Sequence, residues 1–268
     1  MLLFFLISIL TGCNAKKDSQ TIDSAVTDRI VHDEFEEIFS NAWYQNGQDQ
    51  IDRKLANYKS VKTRRGAAKN IILFIGDGMS IGTVTASRIL MGQLEGRHGE
   101  EGFLSFGHFP YTALVKTYNV DAQVPDSAGT MTAIMSGVKT NFGLLGVDEK
   151  AVRGDCSSER DNRLISALVF AEIAGMSTGI VSTARITHAT PAATYANSVE
   201  RGWEDISRIP SDEIMDGCQD IAFQLVNFED NLKDRYTGIS TDGVDVVMGG
   251  GRRHFFPLST KIHLFGLA

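Results

Sequence analysis

The chain has 268 residues, of which 43% are hydrophobic and 22% are charged, with 26 glycines and only 5 prolines. This balance is typical of a globular protein and excludes the disordered, collagen-like and coiled-coil classes. The net charge is −7 and no block of lysine and arginine exceeds two residues, so we expect no nucleic-acid partner.

The first ten residues, Met1 to Leu10, are almost wholly apolar, and Thr11-Gly12-Cys13 follows them. A short apolar run before small residues predicts a secretion signal over 1–12. The Leu-Thr-Gly-Cys ending resembles a bacterial lipobox, which predicts lipidation of Cys13, export, and a lipid anchor at the bacterial cell envelope, in the periplasm or on the outer membrane. A buried strand with an accidental cysteine is the alternative, and no basic residue precedes the apolar run.

Two further cysteines, Cys156 and Cys218, lie 62 positions apart. Disulfides persist in the oxidising compartments that exported proteins reach, which favours a bridge between these two cysteines. Two free thiols are the alternative.

Residues 13–66 are interpreted as a tether followed by an N-terminal helical arm. The stretch 14–24 is polar, and 26–59 carries apolar residues at helical spacing. Its acidic cluster, 33–37, is interpreted as a solvated helix face.

From Lys69 onward the pattern alternates between strand and helix. The predicted strands are 71–75, 111–120, 178–183 and 244–248, and the predicted helices are 80–91, 127–138, 164–174, 191–199 and 214–226. This alternation predicts an α/β fold, with a layered, mostly parallel sheet and helices on both faces. Sites in such folds form at the carboxyl ends of the strands.

Asp77 stands between two glycines after the first predicted strand, where a carboxylate can bind a hard metal ion. Asp126 and Ser127 open a predicted helix, and the positive potential of a helix N-terminus favours a serine alkoxide and a phosphate bound to it. No Gly-x-Ser-x-Gly surrounds Ser127, so metal activation is favoured over a hydrolase triad. Ordinary capping or turn roles are the alternatives for all three residues.

His188 and Thr190 follow the strand 178–183, on one side of an extended segment. Thr190 is also placed to cap the helix that Pro191 opens, and a lone histidine is commonly a satisfied polar residue. Arg201 can bind two phosphate oxygens through its planar guanidinium, although a solvated arginine at a helix end is the alternative.

In combination and order these segments resemble the alkaline phosphatase family, and its animal-type branch in particular. The resemblance covers about 41–257 and rests on Ile75-Gly76-Asp77-Gly78-Met79, Asp126-Ser127-Ala128-Gly129-Thr130, His188-Ala189-Thr190-Pro191, Arg201-Gly202-Trp203, Gly217-Cys218-Gln219-Asp220 and Gly249-Gly250-Gly251-Arg252.

The resemblance implies a role for each matching residue in the hydrolysis of phosphate monoesters. Ser127 would be the nucleophile of a phosphoserine intermediate and would contact a zinc ion. Asp77 would bridge that Zn²⁺ and a Mg²⁺, Thr190 would bind the Mg²⁺, and His188 would lie near its water shell. Arg201 would bind the phosphoryl oxygens and Asp126 would orient its neighbours. The family also implies a disulfide matching Cys156–Cys218, and a homodimer onto which the arm 41–59 would pack.

Most of the zinc ligands that the resemblance implies would follow the glycine triplet, but the chain ends 17 residues after Gly251 and contains no Asp-His dipeptide. We therefore interpret 67–257 as a partial alkaline phosphatase-like domain whose C-terminal part is missing. The tail 258–268 does not resemble the family, and a frameshift or premature stop is our hypothesis for it. We expect little or no turnover from this exact polypeptide.

Two other functions remain open at this point. A phosphodiesterase or sulfatase relative would use the same scaffold, although Ser127 and Arg201 favour the monoesterase. A non-catalytic, lipid-anchored remnant would fit the lipobox-like start and the absent ligands.

Overall fold

The computed structural model describes residues 42–63, 68–239 and 241–256. The predicted signal 1–12, the lipidation site Cys13, the tether and the tail 258–268 lie outside these described residues. Within them, no helix combines the length and the apolar character that crossing a bilayer requires.

The chain divides into two compact units. The first contains the described residues up to Ile72 together with Arg88–Thr112, and the second contains Leu73–Ser87 and the described residues from Ala113 onward. Helix α1, Ala42–Thr63, belongs to the first unit, and the residues of helix α2, Ile81–Leu94, are divided between the two units at Arg88. Within the first unit, Lys54 Nζ on α1 donates a hydrogen bond to the carbonyl oxygen of Phe109 at 3.1 Å.

The second unit carries the sheet. Strand β1, Gly179–Arg185, pairs in parallel with β2, Val246–Gly250, and the register places Gly179 opposite Val246. The helices of this unit are α3 Ser127–Ser136, α4 Ala167–Ile173, α5 Ala189–Ala192, α6 Ser211–Met215, α7 Ile221–Val226 and α8 Phe228–Arg235. Parallel strands joined through helices confirm the predicted α/β class.

Two clusters of buried apolar side chains hold the second unit together. The larger joins β1 to helices α3, α5, α7 and α8, and its members include Ala128, Met131, Ile180, Ile186, Tyr195, Ile221 and Phe228. The smaller surrounds the disulfide and includes Leu144, Val147, Val199, Trp203 and Ile209. Burying each large side chain contributes about 1.5–3 kcal/mol, so these clusters stabilise both the helices and the loops between them.

Cys156 and Cys218 form a disulfide, with their Cα atoms 5.6 Å apart. The bridge was expected from the sequence and is confirmed. It joins a short 3₁₀ turn, Cys156–Ser158, to the loop that follows α6.

Two predicted strands are wrong within the described residues. The run 71–75 is extended but pairs with no strand there, and Phe74 is 88% exposed. The segment 111–120 is likewise irregular apart from an isolated bridge between Asn119 and Ala122. A strand exists only through hydrogen bonds to a neighbour, and an apolar run does not supply that neighbour.

Two predicted helices also differ from the structure. The helix predicted over 191–199 is instead the short α5, Ala189–Ala192, so Thr190 lies inside it and His188 takes the N-cap position. The helix predicted over 214–226 is split into α6 and α7 because Gly217 adopts a φ of +94°, which interrupts the helical backbone.

Candidate active site

Asp126 is the N-cap of α3 and the most heavily bonded acidic group of the site. Its Oδ1 accepts hydrogen bonds from Gly129 N at 3.0 Å and Asn119 Nδ2 at 2.9 Å. Its Oδ2 accepts from Gly143 N at 3.1 Å and from Arg201 Nη1 at 2.9 Å. Four donors on one buried carboxylate hold the start of α3, the loop at Gly143 and the arginine together.

Ser127 is the first residue of α3, a ten-residue helix that Gly137 ends in the left-handed conformation. Its side chain is half-buried. Because the first N–H groups of a helix have no partner inside the helix, Ser127 lies in their positive potential. Ser127 also directly follows Asp126, the carboxylate that Arg201 contacts.

Arg201 connects the two parts of the site. Its Nη1 donates to Asp126, and its Nη2 lies 3.3 Å from Nε2 of His188. A guanidinium has only donors, so His188 Nε2 is the acceptor and the ring proton resides on Nδ1. The arginine side chain is one-quarter exposed, so its outer face remains open to an anion.

Asp77 and Thr190 form the other end of the site. Thr190 Oγ1 donates to Asp77 Oδ2 at 2.7 Å, although the two residues are 113 positions apart. His188 Nδ1 lies 4.0 Å from the same carboxylate oxygen. The capping role open to Thr190 is therefore wrong, because its hydroxyl bonds to Asp77 instead.

Burial lowers the pKa of His188, and the positive charges of Arg201 and Arg185 lower it further. The imidazole is therefore neutral at physiological pH. Its Nδ1 is buried and has no hydrogen-bond partner among the described residues. An unpaired buried N–H costs about 1–3 kcal/mol, so this atom marks a place where a further ligand or water would be accommodated.

A second layer of residues holds the loop between β1 and α5, which carries His188 and Thr190. Glu204 Oε1 accepts from Arg185 Nη2 at 2.8 Å, and Glu204 Oε2 accepts from Thr187 Oγ1 at 2.6 Å. His254 is buried, and its Nε2 lies 3.2 Å from Glu204 Oε2. Because Glu204 is three residues beyond Arg201, these bonds fix the loop relative to the arginine.

Oxygen donors dominate the Asp77 end, with an orphaned imidazole nitrogen beside them. Asp77 and Thr190 fit a hard cation of the Mg²⁺ type, which prefers oxygen ligands and keeps several waters. A zinc site needs at least three protein ligands. Among the residues that the structure describes, one group brings at least three His, Cys, Asp or Glu ligand atoms close enough to share a metal ion. This group is Cys156, Glu213 and Cys218, and its two sulfurs are joined in the disulfide. The described residues around Asp77 and Arg201 therefore fit Mg²⁺ but do not complete a zinc site.

The structure brings the six predicted site residues, Asp77, Asp126, Ser127, His188, Thr190 and Arg201, into one region. Sequence reasoning missed Asn119 and Glu204, which orient Asp126 and the β1–α5 loop. No local pattern marks either residue, because each acts through a tertiary contact.

The alkaline phosphatase family model matches residues 68–264. This match covers most of the chain, and the chain belongs to the alkaline phosphatase family.

Animal enzymes are among the relatives found. The chain is 46% identical over 215 residues to the tissue-nonspecific isozyme of alkaline phosphatase from Rattus norvegicus, covering 80% of this chain and 38% of that protein. It is 47% identical over 219 residues to the alkaline phosphatase of Gadus morhua, covering 81% of this chain and 43% of that one. The chain thus spans about two fifths of the length of these relatives.

Among solved structures, a cold-active alkaline phosphatase from a psychrophilic Shewanella is 25% identical to this chain. It matches with a TM-score of 0.46, over 68% of this chain and 36% of that one.

Proposed function

We propose that this chain carries the nucleophile and the phosphate-binding residues of a metal-assisted phosphomonoesterase. Two sets of contacts, made by neighbouring residues of one loop, carry the proposal. Thr190 bonds to Asp77, and His188 contacts Arg201, which bonds to Asp126 at the start of the helix that Ser127 opens. Membership in the alkaline phosphatase family supports phosphate monoesters as the substrate class.

In this proposal, Arg201 binds two phosphoryl oxygens through its charge-assisted, planar geometry. Ser127 Oγ attacks phosphorus, the ester P–O bond breaks, and the proton of the Ser127 hydroxyl ends on the oxygen of the departing alcohol. Water then hydrolyses the phosphoserine. Asp126 keeps Arg201 oriented throughout, and the N-terminal N–H groups of α3 stabilise the anionic phosphate on Ser127.

We propose Mg²⁺ as the cation at Asp77 and Thr190, with His188 facing its water shell through Nδ1. When bound, metal ions supply positive charge that favours the serine alkoxide and offsets the charge of the transferring phosphoryl group. Zn²⁺ is the second metal that the family implies. The described residues do not complete its site, so little or no turnover is expected from this polypeptide alone.

The remaining proposals concern organisation and location. We propose an alkaline phosphatase-like domain over 67–257, a signal over 1–12, and a lipid on Cys13 that anchors the exported protein at the bacterial envelope. We also propose that α1 packs on a second copy in a homodimer. Ile51, Leu55 and Tyr58 follow helical spacing on α1 and are about half exposed, which supports a packing role.

Titration of inorganic phosphate into the full chain, by calorimetry in the presence of Mg²⁺, tests the phosphate site. Arg201→Ala should weaken binding by about 10-fold or more, because it removes charge-assisted hydrogen bonds worth about 1.5–3 kcal/mol. Arg160→Ala is the matched control, since Arg160 is exposed and has no hydrogen bond or ion pair to a site residue among the described residues. Equal affinities of the two variants would refute the assignment of Arg201.

Turnover of p-nitrophenyl phosphate with Zn²⁺ and Mg²⁺ tests the catalytic part separately. Robust, metal-dependent turnover that vanishes in Ser127→Ala would support the nucleophile and contradict the expected inactivity of this polypeptide.

A further inference from the structure

The disulfide lies between two glutamates. Glu213 Oε2 accepts a hydrogen bond from Cys156 N at 2.7 Å, and Glu159 Oε2 lies 3.7 Å from Cys218 Sγ. Both sulfurs and a carboxylate oxygen of Glu213 lie within 4.8 Å of one another. Two sulfurs and the Glu213 carboxylate therefore converge on one point, and Glu159 Oε2 lies beside Cys218 at its edge.

Glu159 has a buried oxygen whose hydrogen-bonding needs the bridge cannot meet. The residue is only 2% exposed, and its Oε1 accepts both hydrogen bonds from Arg163, at 3.0 and 2.7 Å. Its Oε2 faces only Cys218 Sγ among the described residues, and a disulfide sulfur has no hydrogen to donate. A buried acceptor without a donor is destabilising, so this oxygen is better suited to a partner that the oxidised bridge lacks.

The surrounding charge suits a cation at this point. Two thiolates and two carboxylates carry four negative charges, and a divalent cation together with Arg163 offsets three of them. Paired thiolates with carboxylate oxygens are a ligand set that zinc accepts in tetrahedral geometry.

We propose that Cys156, Cys218, Glu159 and Glu213 bind one thiophilic divalent cation of the Zn²⁺ class when the bridge is reduced. A dithiol reductant donates two electrons to the S–S bond, becomes a disulfide itself, and leaves two cysteine thiols. The incoming cation then displaces the two thiol protons to solvent. The oxidised bridge and the metal site are thus alternative forms of one pair of cysteines, independent of the phosphate site.

The test uses the full chain produced in a reducing cytosol, where the bridge does not form, and the air-oxidised chain for comparison. Co²⁺ is the optical probe. The reduced chain should bind one equivalent with a thiolate-to-cobalt charge-transfer band that Zn²⁺ displaces, and the oxidised chain should show no such band. Circular dichroism should show that the reduced chain is folded.

Variants separate the four-ligand site from a pair of loose thiols. Glu159→Gln and Glu213→Gln should each weaken Co²⁺ binding by about 10-fold or more. Glu149→Gln removes an exposed carboxylate outside the cluster and should leave binding unchanged. The absence of the band in the reduced chain, equal affinity of all three glutamine variants, or binding only by an unfolded chain would each overturn the proposal.

Discussion

Asp126→Asn tests whether a single carboxylate organises the site. Asparagine keeps the size of the side chain and one acceptor oxygen, which still serves Gly129 N and Asn119 Nδ2. Its amide group, however, would face Gly143 N and Arg201 Nη1, which are both donors. Three donor groups would then face one another with no acceptor between them: the new side-chain amide, Gly143 N and Arg201 Nη1.

The cost follows from these contacts. Losing one partner of a buried ion pair costs about 3–5 kcal/mol, and the lower end applies because the Arg201 side chain is one-quarter exposed. The unpaired Gly143 N–H adds about 1 kcal/mol. We expect Asp126→Asn to lower the free energy of unfolding by about 3–4 kcal/mol. Asp126→Ala also loses the helix cap, worth about 1 kcal/mol, and should cost more.

Equilibrium unfolding in urea, followed by circular dichroism and by tryptophan fluorescence, measures this change. Asp121→Asn is the matched control, because this exposed carboxylate accepts one hydrogen bond, from Phe142 N at 2.7 Å, and its loss should cost about 0.5 kcal/mol or less. If Asp126→Asn stays within about 1 kcal/mol of the unmodified chain, the carboxylate does not organise the site as described.

Three further changes probe the scaffold around the site. Burial alone would raise the pKa of Glu204, but hydrogen bonds from Arg185 and Thr187 hold it below its usual value of 4.5. The ionised Glu204 therefore stabilises the folded chain above about pH 4.5, and this contribution is lost as the pH falls through the folded-state pKa. Glu204→Gln should flatten the acid limb of a plot of the free energy of unfolding against pH. Parallel acid limbs for the variant and the unmodified chain would contradict this. Gly146→Ala should lower the melting temperature more than Gly137→Ala. A Cβ at Gly146 would collide with the Ala196 carbonyl oxygen, whereas Gly137 faces open space. Equal melting temperatures of the two variants would count against the close contact at Gly146. Replacing both bridge cysteines by serine should cost about 4 kcal/mol in urea unfolding, given a sequence separation of 62, and a loss below 1 kcal/mol would show that the loop is held by other contacts.

The sequence predicted the local features of the site better than its sheet. Asp126 as a helix cap follows from a residue preference that acts within one turn, and the structure has this cap. The run 71–75 was predicted as a strand from its apolar content, yet strand formation depends on a distant partner that a local pattern does not encode.

The bond between Thr190 and Asp77 shows the same limit within the site. Local chemistry favoured Thr190 as a helix cap, but a carboxylate 113 positions away binds its hydroxyl. Glu204 and Asn119 were not predicted because each acts through contacts with residues far away in the sequence. The resemblance to a family named six residues that the structure brings into one region, because a family resemblance conveys tertiary proximity, which residue preferences do not.

The contacts of Arg201 affect the entropy cost of the proposed anion binding. A long side chain that is free in solution loses rotamer freedom on binding, at about 0.5–1.5 kcal/mol. Asp126 Oδ2 and His188 Nε2 already restrict this guanidinium from two sides, at 2.9 and 3.3 Å. The entropy of orienting this guanidinium is therefore lost on folding rather than on ligand binding, and in the proposed phosphate site an anion would meet a charge that is already preorganised.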